Sequence, residues 1–194
     1  MITVYLDIES LSAEIDSKNK VVCIGLLVEQ PLSSKDKLII LKEWEEKEDK
    51  IIHKFFNCLN ELIQEHKIVE LVGFNILRFD IPLLELKGLQ YDIKNPFEVF
   101  RECYTIDIRQ VLLPLNQFRF KGLNLLSAFK IVEDMFGVAI TKPEYSNYDI
   151  PELYHKKDYD AIIRHLEGDL RSVRDLYRTL REHLRTLLMC QAED

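Results

Sequence analysis

The chain opens on an apolar strand that ends in two acids. Residues 2–8, Ile-Thr-Val-Tyr-Leu-Asp-Ile, are β-branched and apolar enough to be buried on both faces of a sheet. Alternate residues of a strand share a face, so Asp7 and Glu9 project to one side at its C-terminal end. Two carboxylates there are costly unless water, a partner or a metal ion meets them. A strand buried on both faces also needs neighbours. Residues 21–28 read as a second strand and 38–41 as a third, joined by Ser/Lys/Pro-rich links around 17–20 and 31–37 that suit hairpin turns. Residues 68–73 and 104–108 supply two more.

Helical patterns fill the intervals. Ile51, Ile52, Phe55, Phe56, Leu59, Leu62 and Ile63 form a stripe at helical spacing, after a charge run at 43–50 that reads as a solvated helix start or loop. A short helix is predicted over 81–89 after Asp80, and another over 123–136, closed by Gly137. Residues 137–157, with Pro143, Pro151 and several tyrosines, read as a surface loop, and a long final helix runs over about 159–188. Hairpin-linked strands followed by strands alternating with helices predict an α/β fold. Its mixed five-stranded sheet is flanked by helices, with a long C-terminal helix, in one domain over 1–194.

Composition narrows the function classes. With 194 residues that are 47% hydrophobic, the chain can bury a core, which excludes disordered, collagen and coiled-coil classes. Its formal charge of −7 argues against gripping nucleic acid by bulk electrostatics, although acids gathered in one site leave the same imbalance. Cys23, Cys58, Cys103 and Cys190 lie far apart, as free thiols in a reducing compartment do. The opening MITVYLDIES reaches an acid too early for a signal peptide, and no run approaches the ~20 apolar residues of a membrane span. The expected location is the cytoplasm, with no membrane partner.

Two further acids stand out. Along the final helix, Ile162, Leu166, Val173, Leu176, Leu180, Leu184 and Leu187 form a stripe into which Asp169 falls where a hydrophobe is due, beside Gly168. His165 lies one turn before it. Such an acid either binds metal or pairs with one of the nearby arginines. Asp80 lies between a buried strand and a helix, in Gly-Phe-Asn-Ile-Leu-Arg-Phe-Asp-Ile-Pro-Leu-Leu. It is placed either for ligand binding at a strand end or for capping the helix that contains Pro82.

These pieces, in this order, resemble the DEDD superfamily of 3′–5′ exonucleases, which has the ribonuclease-H-like fold. The similarity is greatest to the exonuclease domain of family B DNA polymerases and its stand-alone relatives. Asp7-Ile8-Glu9 matches the first motif, with Ser10 where a small hydroxyl residue is common. Asn75-x-x-x-Phe79-Asp80, followed by Ile-Pro-x-Leu, matches the second and most specific motif, and Asp169 matches the aspartate of the third.

The resemblance implies that Asp7, Glu9, Asp80 and Asp169 are catalytic and hold two divalent cations, Mg²⁺ or Mn²⁺, with Asp7 bridging both. It implies hydrolysis at the 3′ ends of single-stranded DNA or RNA, in repair, proofreading, RNA turnover or defence. Ser10, Asn75 and Phe79 would then bind the substrate, Phe79 by stacking if it is not plain core. His165 is the candidate general base. The family carries Tyr four residues before the last Asp or His five before it, whereas this chain has His165 at four and Arg164 at five. One position turns a helical side chain by about 100°, so His165 either orients the water differently or serves a slow enzyme.

Other histidines, His53, His66, His155 and His183, lack acidic motifs and read as surface. The arginines of the final helix could bind phosphates or simply be solvated. Phe118-Arg119-Phe120-Lys121 is a candidate strand-binding loop. The rival readings are a catalytically weakened nucleic-acid-binding or assembly subunit and an endonuclease on the same scaffold.

Overall fold

A computed structural model describes residues 1–29, 36–139 and 149–190 of the chain. The link at 31–35, residues 140–148, and the side chains of Leu184, Arg185, Leu187 and Cys190 lie outside the described residues.

The first strand, β1 (Ile2–Ser10), is the central member of the sheet, as its two-sided burial requires. It pairs antiparallel with β2 (Val21–Glu29), which pairs antiparallel with β3 (Lys37–Lys42). On its other side β1 runs parallel to β4 (Val69–Gly73), and β4 runs parallel to β5 (Tyr104–Asp107). The order β3-β2-β1-β4-β5 makes the mixed five-stranded sheet expected from the sequence.

Helices cover both faces. After the short α1 (Glu43–Glu46), α2 (Glu48–Glu65), α3 (Asp80–Gln90) and α4 (Pro96–Arg101) lie against one face. There Val4, Leu6 and Ile8 meet Phe55, Phe56 and Phe100. The short α5 (Ile108–Val111) and a 3₁₀ turn (Leu113–Asn116) lead to α6 (Leu125–Phe136) and α7 (Ile150–Lys156), and the chain continues into α8 (Tyr159–Cys190). These cover the other face, where Tyr5 and Leu27 pack with Phe129, Leu166 and Leu170. Among the described residues no helix is long and apolar enough to cross a membrane, and Cys23, Cys58 and Cys103 are free thiols.

Three local expectations change. The stretch read as a surface loop contains α7, because Asp149 caps it (Oδ1 accepts from the Glu152 N–H at 2.9 Å) and Pro151 fits its first turn. The charge run at 43–50 is not simply solvated. Glu43 pairs with Lys20 at 2.7 Å, and Glu48 accepts from the Val21 N–H (2.8 Å), the Tyr91 hydroxyl (2.7 Å) and the buried Lys87 (2.9 Å). An unpaired buried ammonium would be costly, so Lys87 draws Glu48 inward. Asp169 borders the core stripe of α8 instead of interrupting it, since Leu170 takes the core position and is fully buried.

Gly25 sets how closely α8 approaches the sheet. It lies opposite Asp7 in the ladder, and a Cβ there would stand 2.6 Å from Leu170 Cδ1 and 3.0 Å from Leu166 Cγ.

Candidate active site

The parallel pairing of β1 with β4 ends at Tyr5 and Val72, after which β4 stops at Gly73. The amides of the even-numbered β1 residues point toward β4, as the Ile2 N–H does in donating to Ile68 O. Beyond the end of the ladder Ile8 finds no strand partner there, and its N–H donates to Asp80 Oδ1 at 3.2 Å. Asp80 therefore does not serve as the cap of α3. The cap position is Phe79, which makes no side-chain cap bond, and Asp80 is buried against β1.

The odd-numbered β1 residues face α8. There Asp7 and Glu9 meet Asp169, and His165 Nε2 stands 3.6 Å from Glu9 Oε1 and 3.9 Å from Asp169 Oδ2. The four-residue spacing puts the imidazole one turn from Asp169 and on the same side. Among the described residues Asp169 pairs with no arginine of its own helix.

Crowding shows in the protonation of these groups. Burial first, then the charges of Glu9, Asp80 and Asp169, hold the Asp7 carboxyl well above the usual range. Burial, then Asp169 and Asp80, do the same to Glu9. Asp80 is pushed up to about 7 by burial, against hydrogen bonds from its own amide and that of Ile8. Burial also raises Asp169, while His165 pulls the other way. Three separate elements thus bring four carboxylates into mutual repulsion, a donor set of hard oxygens suited to divalent cations. Among the described residues no three acidic, His or Cys side chains are already grouped as they would be around a bound ion.

Two grooves meet at this place. One, of about 1120 Å³, is lined by Glu9, Ser10, Asn75, Arg78, Phe79, Arg109 and the start of α7. The other, of about 370 Å³, is lined by Asp7, Phe74, Asp80 and Asn124, and shares Ile8, Asn75, Phe79 and Arg109 with the first. Ser10 lines the larger groove, but its hydroxyl donates to Ser12 O at 2.8 Å and accepts from Asn19 at 3.3 Å, bracing the 11–19 wall. Phe79 is half-buried, packed against the core on one side and facing both grooves on the other. Asn75 sits at a left-handed φ of 69°, and its Oδ1 accepts from Arg109 Nη1 at 2.6 Å.

Asp107 and Arg109 belong to the site although no motif marked them. Asp107 is buried, and its carboxylate accepts from the amides of Asn75 (2.8 Å), Leu77 (3.1 Å) and Arg109 (3.0 Å). It thereby fixes the turn that delivers Asp80. The available signal was an acid closing an apolar strand, as Asp7 nearly does in β1. By contrast, several of the α8 arginines are turned to carboxylates elsewhere. Arg171 holds Glu167, Arg174 holds Asp36, and Arg178 holds Glu29. His53 and His155 are exposed, whereas His183 stacks on Phe136 at 4.5 Å.

Comparison with known proteins agrees with the resemblance drawn from the motifs. No curated protein matches the chain in sequence. The crystal structure of a zinc-bound E. coli ExoI–ssDNA complex is similar to it with a TM-score of 0.57 at 10% identity, over 97% of this chain and 43% of that one. E. coli exonuclease I in complex with a 5cy-dA13 oligonucleotide is similar with a TM-score of 0.55 at 9% identity, over 93% and 40%. The chain thus spans about two fifths of the length of these proteins, and the likeness is one of fold. A family model described as the RNase H superfamily matches residues 4–181, and the chain belongs to that superfamily.

Proposed function

We propose that the chain is a metal-dependent 3′–5′ exonuclease that hydrolyses phosphodiester bonds at single-stranded nucleic-acid ends. The observation that carries this reading is the convergence of Asp7, Glu9, Asp80 and Asp169, which raise one another's affinity for positive charge, with His165 between two of them. These four would hold two divalent ions, Mg²⁺ or Mn²⁺, which when bound neutralise charge on the phosphoryl group and make water nucleophilic. His165 takes the proton of the attacking water at Nε2, the atom that faces Glu9 and Asp169. Glu9 and Asp169 hold the resulting imidazolium in place. Phe79 offers its ring to the terminal nucleotide, and Asn75 and Ser10 shape the walls around it. Residues 1–194 act as one domain, in the cytoplasm, where its free thiols persist.

Matched 5′-labelled single-stranded DNA and RNA, incubated with Mg²⁺ or Mn²⁺ and resolved on gels, should shorten stepwise from the 3′ end. Intact strands in the presence of folded protein would end this reading, and cutting of circular single strands would favour an endonuclease. The position of His165 at the tyrosine-type spacing favours a second reading, a binding module with weakened catalysis. Titration with Mn²⁺ separates the two, because a degraded site does not take up two ions.

A further inference from the structure

Two arginines at the mouth of the site are treated differently from most of the described arginines of α8, of which only Arg164, near its start, also makes no ion pair. Arg171, Arg174, Arg178 and Arg181 all have carboxylate partners within 4.0 Å. Arg78 and Arg109 make no ion pair among the described residues, although the chain carries a net charge of −7. Both line the larger groove beside Glu9 and Asn75, and Arg109 also lines the smaller one beside Asp7 and Asp80.

They are also held close together. The Arg109 guanidinium lies 5.2 Å from the centre of the Phe120 ring, and that of Arg78 lies 5.8 Å from the same centre. Arg109 is fixed at three points. Its amide donates to Asp107, Nη1 donates to Asn75 Oδ1, and Nη2 donates to Phe120 O at 2.8 Å. Its buried Nε has no hydrogen-bond partner among the described residues. Burial, then the neighbouring Arg78 charge, works against the charge of Arg109, and Asp107 offsets them only in part. Two cations gathered on one ring with no carboxylate in ion-pair contact are open to an anion, and a planar guanidinium suits phosphate oxygens. The aromatic ring keeps both positioned while no anion is bound.

We propose that Arg78 and Arg109, set around Phe120, clamp a phosphate of the nucleic-acid strand as it enters the groove next to the carboxylates. This rests on the exonuclease reading and names the contact that holds its substrate. The clamp explains how an acidic protein takes a polyanion: the binding charge is local, and the overall charge is set elsewhere. It also gives the 117–121 loop a place, since the Arg109 bond to Phe120 O ties that loop to the site.

Binding of a 5′-labelled oligothymidylate, measured by anisotropy with Ca²⁺ and a series of salt concentrations, tests the proposal. Arg78→Ala should weaken binding about five- to tenfold and make the log–log salt dependence shallower by ~0.7, the value for one phosphate contact on a single strand. Arg109→Lys should weaken it as well, because the charge remains but the paired donors are lost. An oligonucleotide with one neutral methylphosphonate near its 3′ end should bind the wild type less tightly than the natural strand, and the loss should be smaller in the Arg78→Ala variant, where Arg109 alone remains. Wild-type affinity and salt slope in both variants would overturn the clamp, and because the Arg78 side chain is exposed, its variant decides if the Arg109 variant fails to fold. Hydrolysis of p-nitrophenyl thymidine 5′-phosphate by the wild type with Mn²⁺ tests the exonuclease reading separately, because this ester has no neighbouring phosphodiester.

Discussion

The two ends of β1 handle negative charge in opposite ways. At its start, Thr3 and Tyr5 donate to Glu70 and Glu29, and the same two acids, with Asp36, are met by Arg174, Arg178 and Arg181 of α8. At its end, Asp7, Glu9, Asp80 and Asp169 crowd together, and one histidine, His165, reaches only Glu9 and Asp169. A single helix serves both ends because α8 runs antiparallel to β1. The helical span from Asp169 to Arg181 is about 18 Å and the strand span from Thr3 to Glu9 about 20 Å at standard rises. One end is balanced and contributes stability. The other is left short of positive charge, which costs stability and creates affinity for cations.

The contrast can be broken at either end. The largest effect is expected from Asp80→Asn, which should lower nuclease activity about 10³-fold or more while raising the melting temperature of the metal-free protein. An unchanged rate would remove Asp80 from the site. His165→Ala should lower kcat about 10²-fold and flatten the pH–rate profile, with Mn²⁺ uptake preserved in a calorimetric titration. At the balanced end, Glu29→Gln should leave activity intact but cost about 1–2 kcal/mol, lowering the melting temperature by about 4 °C, since Tyr5, Arg178 and Arg181 lose a charged partner.

The smallest effect concerns pH. Asp80 has a higher pKa folded, about 7, than unfolded, so it takes up a proton on folding. Its stabilising contribution is complete below about pH 4 and lost as the pH climbs through about 7. The gain in melting temperature of Asp80→Asn over the wild type should therefore be near zero at the acid limit and grow to a few degrees above neutrality. Adding Mn²⁺ at neutral pH should close that gap from the wild-type side.

What was legible in the sequence follows the range of the interactions involved. The five strands and the long helices are set by periodicity over many residues, and four carboxylates stood out as acids in apolar surroundings. Two Asp-Ile-Pro tripeptides show where local reading stops. At Asp149 the acid caps the helix that follows, whereas at Asp80 the same tripeptide starts a helix with its acid turned away to the Ile8 amide. Only the place where β4 leaves the sheet separates them, and that is a tertiary fact. Asp107 and Arg109 were hidden for the same reason, since their partners at Asn75 and Phe120 are brought near by the fold. Lys87 and Glu48 likewise find each other across two helices.

Gly25 gives this arrangement its tolerance. It carries no charge and lines neither groove, yet it lies across the ladder from Asp7 and under Leu166 and Leu170, the residues flanking Asp169 on α8. The gap between the acids of the strand and the acid of the helix is a clearance, as between two machined parts, and a missing methyl group sets it. Any side chain at position 25 would have to move those leucines, and Asp169 would be carried away from Glu9 with every charged group in the molecule still present.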